Sequence, residues 1–94
     1  MTGYVYILKS LKNNRFYIGS TTNLQRRLIE HNSGRSTYTS FTRPFELIFY
    51  QKFDSITIAK KIEFKIKQFK SKKVIINIIE SGEIKTDEFY NISW

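Results

Sequence analysis

The sequence contains no cysteine and only one histidine. The lack of cysteine excludes disulfides, iron–sulfur clusters and zinc sites built from thiolates. A single histidine also excludes a metal site built from histidines alone. No stretch approaches the roughly 18 apolar residues of a membrane-spanning helix. The first apolar run is followed, not preceded, by Lys9 and Lys12, unlike a secretion signal. We therefore expect a soluble, cytoplasmic protein that does not act in a membrane.

Acidic residues are scarce. Eight Asp and Glu stand against 16 Lys and Arg, which gives a net charge of +8. Such an excess on one small domain indicates a polyanionic partner, and nucleic acid is the most common one. A compositional explanation is also open, because the chain is rich in the Ile, Lys and Asn that AT-rich genomes encode. An anionic membrane surface is disfavoured, since no helical pattern joins a basic face to exposed large apolar residues.

The beginning of the chain predicts a hairpin followed by a helix. Residues 3–9 and 16–19 are rich in β-branched and aromatic side chains, which indicates two antiparallel strands. A capping-box pattern that starts at Thr22 predicts the beginning of a helix. Asn32 and Gly34 predict its end.

The second half predicts a third strand and a second helix. Residues 45–53 form another β-branched and aromatic run. Asp54 or Ser55 is expected to cap a helix that continues to about Lys70. Residues 72–79 fit a helix or a strand equally well. The core stripe of the second helix is expected to be Ile58, Ile62, Ile66 and Phe69.

These elements predict one α+β domain (α/β in the broad sense). The expected order is β-β-α-β-α plus a C-terminal element, with a core at about residues 3–75 and an extension at 76–94. The sheet would be small, three-stranded and antiparallel or mixed, with its helices packed on one face.

Tyr6 and Tyr17 lie on the two strands of the predicted hairpin. If the strands pair, the two hydroxyls can converge on one patch. A tyrosine hydroxyl titrates near pH 10 and is a poor base alone, although nearby cations could lower its pKa. Buried tyrosines more often only pack, with one satisfied hydroxyl, so both interpretations stay open.

Arg27 and His31 stand four residues apart and share a face of the predicted first helix. An arginine beside the sheet can clamp a phosphate with two donors. A histidine can position a nucleophile or hold a phosphate oxygen. The alternative is a solvated arginine beside a surface histidine.

Glu63 is the only acid between Lys60 and Lys73, a stretch with seven lysines. A lone carboxylate in a cationic field suits a magnesium ion, which often takes one or two protein carboxylates and keeps its waters. The alternative is an ordinary ion pair with Lys67, four residues later. Gly19 ends the predicted second strand, where glycine permits a close backbone approach.

In combination these residues resemble the GIY-YIG nuclease superfamily, above all its short stand-alone bacterial members. Gly3-Tyr4-Val5-Tyr6 and Tyr17-Ile18-Gly19, whose last and first tyrosines stand eleven residues apart, resemble the paired motifs that name the superfamily. Residues 23–32 resemble its arginine-bearing helix, and residues 63–67 resemble its helix with a metal-binding glutamate. The glycine of the first motif stands one place too far back. Ile62 occupies the place before the glutamate where short members usually carry a basic residue.

The resemblance implies a metal-dependent phosphodiesterase, an endo- or exonuclease acting on DNA, with Mg²⁺ or Mn²⁺ as cofactor and a role in repair or recombination. Tyr6 and Tyr17 would line the site, one of them as general base. Arg27 would bind the scissile phosphate, His31 would assist the tyrosines, and Glu63 would ligate the metal. Gly19 and Asn77 are weaker site candidates. The expected nucleic-acid contacts are Arg26, Arg35, Arg43, Lys60, Lys67 and Lys70.

Two other functions remain open at this level. The chain could be a non-catalytic nucleic-acid-binding module with a degenerate nuclease site, whose lysines grip phosphates without chemistry. It could also dock on a protein partner through the aromatic tail of Phe89, Tyr90 and Trp94, although a terminal tryptophan often covers the core instead. We expect a monomer or a weak homodimer.

Overall fold

The computed structural model describes residues 1–33 and 43–85. Gly34, Arg35 and the aromatic tail of Phe89, Tyr90 and Trp94 lie outside the described residues. The elements are β1 (Gly3–Ser10), β2 (Phe16–Thr21), α1 (Leu24–Ser33), β3 (Phe45–Phe53), α2 (Ile56–Gln68) and α3 (Lys72–Ser81). The predicted order is confirmed, and the undecided C-terminal element is a helix. Within the described ranges, no helix has the length and apolar character needed to cross a membrane.

The three strands form one antiparallel sheet in the order β2-β1-β3. β1 is central, so β2 lies at an edge of this sheet. Tyr6 pairs with Gly19, and Leu8 pairs with Tyr17. Residues directly opposite each other in an antiparallel pair share a face, so Tyr6 and Tyr17 lie on the same face, as predicted. β2 continues to Thr21, beyond its predicted end.

A β-bulge lets β3 contribute apolar side chains to both faces of the sheet. Ile7 pairs with Phe49, but the next residue, Leu8, pairs with Leu47. Ile48 is therefore the extra residue of a bulge, which shifts the alternation of the strand by one. Before the bulge, Phe45 and Leu47 pack on the side of α1. After it, Phe49 and Phe53 pack on the side of α2 and α3.

The helices cover both faces of the sheet, so their expected placement on a single face was wrong. The reason lies in β1, where four consecutive residues, from Val5 to Leu8, are all buried. Alternating side chains point to opposite faces, so a strand buried in this way needs a helix on each side. The larger core joins the sheet to α2 and α3. The smaller core joins Tyr6, Leu8 and Phe45 to Leu24 and Leu28 of α1.

The ends of α1 differ from the sequence prediction. The Oδ1 atom of Asn23, not the side chain of Thr22, accepts a hydrogen bond from the backbone N–H of Arg26 at 3.0 Å. Asn32 does not stop the helix but lies in its last turn. Its Oδ1 accepts from the backbone N–H of Phe45 at 2.6 Å, which ties the end of α1 to the start of β3. This side-chain bond helps to hold α1 against the sheet.

The second helix follows the prediction more closely. Ser55 caps α2, and its side chain accepts a hydrogen bond from the backbone N–H of Ile58 at 3.2 Å. Ile62 and Ile66 are buried in the larger core. Phe69, expected in the same stripe, is 41% exposed, because α2 ends before it.

Candidate functional site

The position of Tyr6 depends on the glycine opposite it. The side chain of Tyr6 lies across Gly19, its partner on the edge strand β2. A Cβ atom at Gly19 would overlap the ring and hydroxyl of Tyr6. Only glycine leaves this space, so Gly19 allows the Tyr6 side chain to lie flat over β2 on the side of α1.

The Tyr6 hydroxyl joins the two predicted residues of α1. It lies 3.1 Å from Nε2 of His31, and Nε of Arg27 donates to it at 3.4 Å. Tyr6 and His31 are only 4% and 5% exposed, so the histidine belongs to the interior and not to the surface. The Arg27 side chain is 38% exposed. The structure thus brings together a buried tyrosine, a buried histidine and a partly solvated arginine.

The buried surroundings favour the neutral forms of both rings. Burial raises the pKa of Tyr6, and the hydrogen bond and charge of Arg27 only partly oppose this. Burial lowers the pKa of His31, the charge of Arg27 acts in the same direction, and Glu30 opposes them. A protonated Tyr6 can accept from Arg27 and donate to a neutral His31 at the same time. In this arrangement the hydroxyl proton of Tyr6 points toward Nε2 of His31.

Glu63 approaches from the other side of the edge strand, on α2. Its Oε1 accepts a hydrogen bond from Oγ of Ser20 at 2.5 Å. Its Oε2 pairs with Nζ of Lys67 at 2.5 Å, so the ion pair considered as the alternative to metal binding is formed. The Glu63 side chain is 20% exposed. Sequence reasoning missed Ser20, and the signal was available, because continuing the alternation of β2 past Gly19 places Ser20 on the face of α2.

The two groups face each other across one strand. Gly19 and Ser20 are neighbours in β2, and they contact Tyr6 on one face and Glu63 on the other. Glu63 raises the pKa of Tyr6 and Lys67 lowers it, although both effects are smaller than that of burial. The carboxylate is therefore within electrostatic reach of the Tyr6 hydroxyl. No described strand pairs with the outer side of β2, and the partly exposed members of the two groups are Arg27 and Glu63.

A divalent cation would depend on Glu63. In residues 1–33 and 43–85, no group of three or more His, Cys, Asp or Glu side chains could enclose a metal. Glu63 already holds a cation, the ammonium group of Lys67, at its Oε2. One carboxylate with an open side suits Mg²⁺ or Mn²⁺, which complete their shells with water and substrate oxygens. The residues present therefore fit an ion shared with a substrate, not one enclosed by protein.

The remaining candidates lie apart from these two groups. The pair formed by Tyr17 and Leu8 lies two cross-strand pairs from that of Tyr6 and Gly19, and the Tyr17 ring packs edge-to-face on Phe45 with 5.2 Å between centroids. Asn77 lies on the exposed side of α3. The described basic residues expected to contact nucleic acid are all exposed: Arg26, Arg43, Lys60, Lys67 and Lys70.

Comparison with known proteins identifies, over most of the chain, the family that the sequence resembles. Residues 2–75 match the family described as the GIY-YIG catalytic domain. A UPF0213 protein of Staphylococcus haemolyticus is 40% identical over 78 residues, which are 82% of this chain and 93% of that protein. A UPF0213 protein of Natronomonas pharaonis is 39% identical over 81 residues, 84% of this chain and 94% of that one. The solution NMR structure of a UPF0213 protein from Bacillus halodurans is 30% identical, covers 99% of this chain and 98% of that chain, and superposes with a TM-score of 0.57.

Proposed function

This chain belongs to the GIY-YIG family, and we propose that it is a divalent-metal-dependent nuclease that hydrolyses phosphodiester bonds in DNA. The family implies nuclease-type activity, and its nucleases generally use divalent metal ions. One observation carries the proposal. The Tyr6 hydroxyl contacts Arg27 and His31 on one side of β2, and Glu63 lies within electrostatic reach on the other.

Tyr6 and His31 would move the proton of the attacking water. The Tyr6 oxygen takes a proton from the water while the hydroxyl proton of Tyr6 passes to Nε2 of His31, 3.1 Å away. In the neutral tautomer that carries its proton on Nδ1, Nε2 of His31 can accept the proton from Tyr6. Arg27 donates to the Tyr6 oxygen and stabilises any negative charge that develops on it.

Arg27 and Glu63 would handle the phosphate. The Arg27 guanidinium is partly solvated, and it has further N–H donors beyond the one that contacts Tyr6. These donors can bind a phosphoryl oxygen and stabilise its charge in the transition state. Glu63 would hold the divalent ion, which supplies further positive charge to the phosphoryl oxygens and polarises bound water. Ser20 keeps the carboxylate oriented toward the edge of the sheet.

The charge of the chain supports a nucleic-acid substrate. The net charge is +8, and Lys60, Lys61 and Lys67 are exposed on α2. A role in repair or recombination would follow from a preference for branched or interrupted DNA. Ile62, the departure from the family pattern before Glu63, is fully buried in the larger core. Its side chain therefore supports packing and does not occupy the site.

Cleavage of labelled single-stranded, double-stranded and branched DNA tests the proposal. The reactions contain magnesium, manganese or a chelator, and they compare the natural chain with the Glu63→Gln variant. Glutamine keeps the shape and can still accept from Ser20, but it removes the negative charge. We expect metal-dependent cutting that falls about 10²- to 10³-fold in the variant, as for loss of other transition-state charge stabilisation.

Glu80→Gln is the matched control, because it removes the same charge from the exposed side of α3. It should cut at the natural rate. Undiminished cutting by Glu63→Gln would refute the role of Glu63. Binding without cutting by the natural chain, in any metal, would indicate the non-catalytic module instead.

A further inference from the structure

A groove of about 550 Å³ lies beside β2, on the side of α2 and α3. Its floor is apolar and is formed by Phe16, Ile18, Ile66 and Ile75. Phe16 and Ile18 come from the same face of β2 as Ser20, and Lys67 lines the groove while it pairs with Glu63. The groove therefore lies next to the candidate site, to which it is connected through Lys67.

The rim of the groove is basic. Arg15, Lys67, Lys70 and Lys72 line it, and no described acidic residue does. The ammonium group of Lys72 lies over the ring of Phe16, 5.7 Å from its centroid. This cation–π contact holds a positive charge at the wall of the groove. A ligand that fits must combine a flat apolar part with negative groups.

The backbone at Lys70 gives independent support. Lys70 has a φ of 48°, in the left-handed region where glycine and asparagine are favoured over lysine. This conformation makes the turn between α2 and α3 and places Lys70 at the rim. Backbone conformations that cost free energy cluster at functional sites, where the function of the residue explains why they are kept.

We propose that the groove is a nucleotide subsite that receives the nucleotide next to the cleaved bond. The base lies on the apolar floor, and Arg15, Lys70 and Lys72 bind its flanking phosphates. The volume lies within the range of small-molecule sites, about 300 to 1,000 Å³, and is far too small for a duplex. The base must therefore leave its stack to enter. The subsite rests on the proposed nuclease function, because Lys67 connects it to Glu63.

Binding without metal tests the subsite apart from catalysis. The probes are a labelled strand of about eight thymidines, within the usual site sizes for single-strand binding, and an abasic strand of the same length. Affinity is measured in chelator over a series of salt concentrations. The variants are Lys70→Gly and Lys72→Gln, and the control is Lys52→Gln, an exposed lysine on β3 at the opposite edge of the sheet.

We expect each groove variant to bind the thymidine strand about 5- to 10-fold more weakly, with a salt slope reduced by about one, as for loss of one phosphate contact. Lys52→Gln should change binding less than about 2-fold, since weak long-range charge effects are screened. Lys70→Gly should unfold at the same temperature as the natural chain or higher, because glycine accepts its backbone conformation. Lost binding without lost stability separates a ligand contact from a structural role. The natural chain should bind the abasic strand more weakly than the thymidine strand.

The outcomes separate this proposal from the nuclease proposal. A chain that binds as expected but cuts nothing supports nucleotide binding in the groove and overturns the nuclease function, and with it the position of this nucleotide beside a cleaved bond. A chain that cuts, with groove variants that bind like Lys52→Gln, overturns the subsite alone. Equal affinity for both strands, or for polyglutamate of matching charge, would also overturn it. No binding to either strand would overturn it as well.

Discussion

The two sides of the edge strand β2 carry polar groups of very different character. On the side of α1, Tyr6 and His31 are almost completely buried, and each ring has a fixed partner. On the side of α2, Glu63 is partly exposed, and its Oε2 pairs with the ammonium group of Lys67, whose side chain is 53% exposed. One strand thus separates a buried hydrogen-bond group from a partly exposed ion pair.

This difference matches what each side would do. A proton transfer needs donor and acceptor held at a constant distance, and burial shifts the pKa of both rings toward their neutral forms. A bound cation and a phosphate must arrive from water, which a partly exposed carboxylate permits. We therefore expect substitutions on the buried side to affect both stability and rate. Substitutions on the exposed side should leave stability nearly unchanged and should act through the binding of metal and phosphate, with a large loss of cutting only where the carboxylate of Glu63 itself is removed.

The largest loss of cleavage rate should come from removal of the Tyr6 hydroxyl. Tyr6→Phe removes the hydroxyl that contacts Arg27 and His31, so we expect the cleavage rate to fall about 10²- to 10⁴-fold, the range for loss of a general base. Because the hydrogen bonds are buried, the free energy of unfolding should fall by about 1 to 2 kcal/mol. Single-turnover cleavage and urea denaturation measure the two effects.

Tyr17→Phe is the matched substitution on the same face of the sheet. Since the ring of Tyr17 packs on Phe45, two cross-strand pairs from Tyr6, the loss of its hydroxyl should lower the rate less than about 10-fold, below the range for a general base. A larger loss from Tyr17→Phe than from Tyr6→Phe would assign the base to the other tyrosine. It would also remove the contrast between the two sides of β2.

A second large effect is expected where the two sides touch, at Gly19. A Cβ atom there overlaps Tyr6, so Gly19→Ala must displace the ring from Arg27 and His31. We expect a rate loss of about 10²-fold, because misplaced groups lose that much. We also expect a destabilisation of about 1 to 3 kcal/mol, as for other overpacked sites. Cleavage and denaturation of the purified variant provide both numbers.

A double-mutant cycle identifies the cause of that loss. If the clash with Tyr6 is responsible, Gly19→Ala should destabilise a Tyr6→Leu background much less than it destabilises the natural chain. Additive effects in the cycle would show that Gly19 is needed for another reason, such as the backbone of β2.

Much of this arrangement could be predicted from the sequence because it follows from local periods. The alternation of β1 and β2 placed Tyr6 and Tyr17 on one face, and the helical period placed Arg27 beside His31. The order of strands and helices followed from the same periods. These features depend on residues close together in the chain, which a single sequence displays directly.

The rest depends on contacts between residues far apart in the chain. Whether His31 is buried depends on how α1 lies against the sheet, and local sequence does not contain that angle. The bond between Ser20 and Glu63 joins residues 43 positions apart. The steric need for Gly19 appears only when the ring of Tyr6 is placed across it. The placement of all helices on one face was wrong because Val5 to Leu8 of β1 are all buried, so both faces of the sheet need a covering helix.

The pH dependence should come from the buried side. The pKa of His31 is lowered from its ordinary value of 6.5, so the folded chain holds the neutral ring to a lower pH than the unfolded chain does. As the pH falls below 6.5, the unfolded state takes up this proton first, so stability present at pH 7 is progressively lost. Protonated Nε2 also cannot accept from Tyr6, so cleavage should fall at the lower pH at which the folded chain protonates His31. Urea denaturation and cleavage at a series of pH values follow both effects.

His31→Gln removes the titrating group and serves as the comparison. Its rate should be lower at neutral pH, and its stability should depend less on pH in the acidic range than that of the natural chain. If the natural chain and His31→Gln lose stability in parallel, another group carries the pH dependence.

The smallest effect should come from the exposed side, at Lys67. Its ammonium group pairs with the Oε2 atom of Glu63, where a divalent ion would bind, so the two cations compete for one carboxylate. Lys67→Gln should therefore lower the manganese concentration needed for half-maximal cleavage by about 3- to 10-fold, since a nearby like charge of this kind costs about 1 kcal/mol at a surface. Paramagnetic broadening by Mn²⁺ in NMR spectra gives the affinity without catalysis. Lys60→Gln removes an equal charge from the same helix and reports the general effect of charge. Equal shifts in the two variants would mean that Lys67 acts only through its general positive charge and does not compete with the metal ion for Glu63. The contrast between an exchangeable partner at Glu63 and fixed partners at Tyr6 would then be lost.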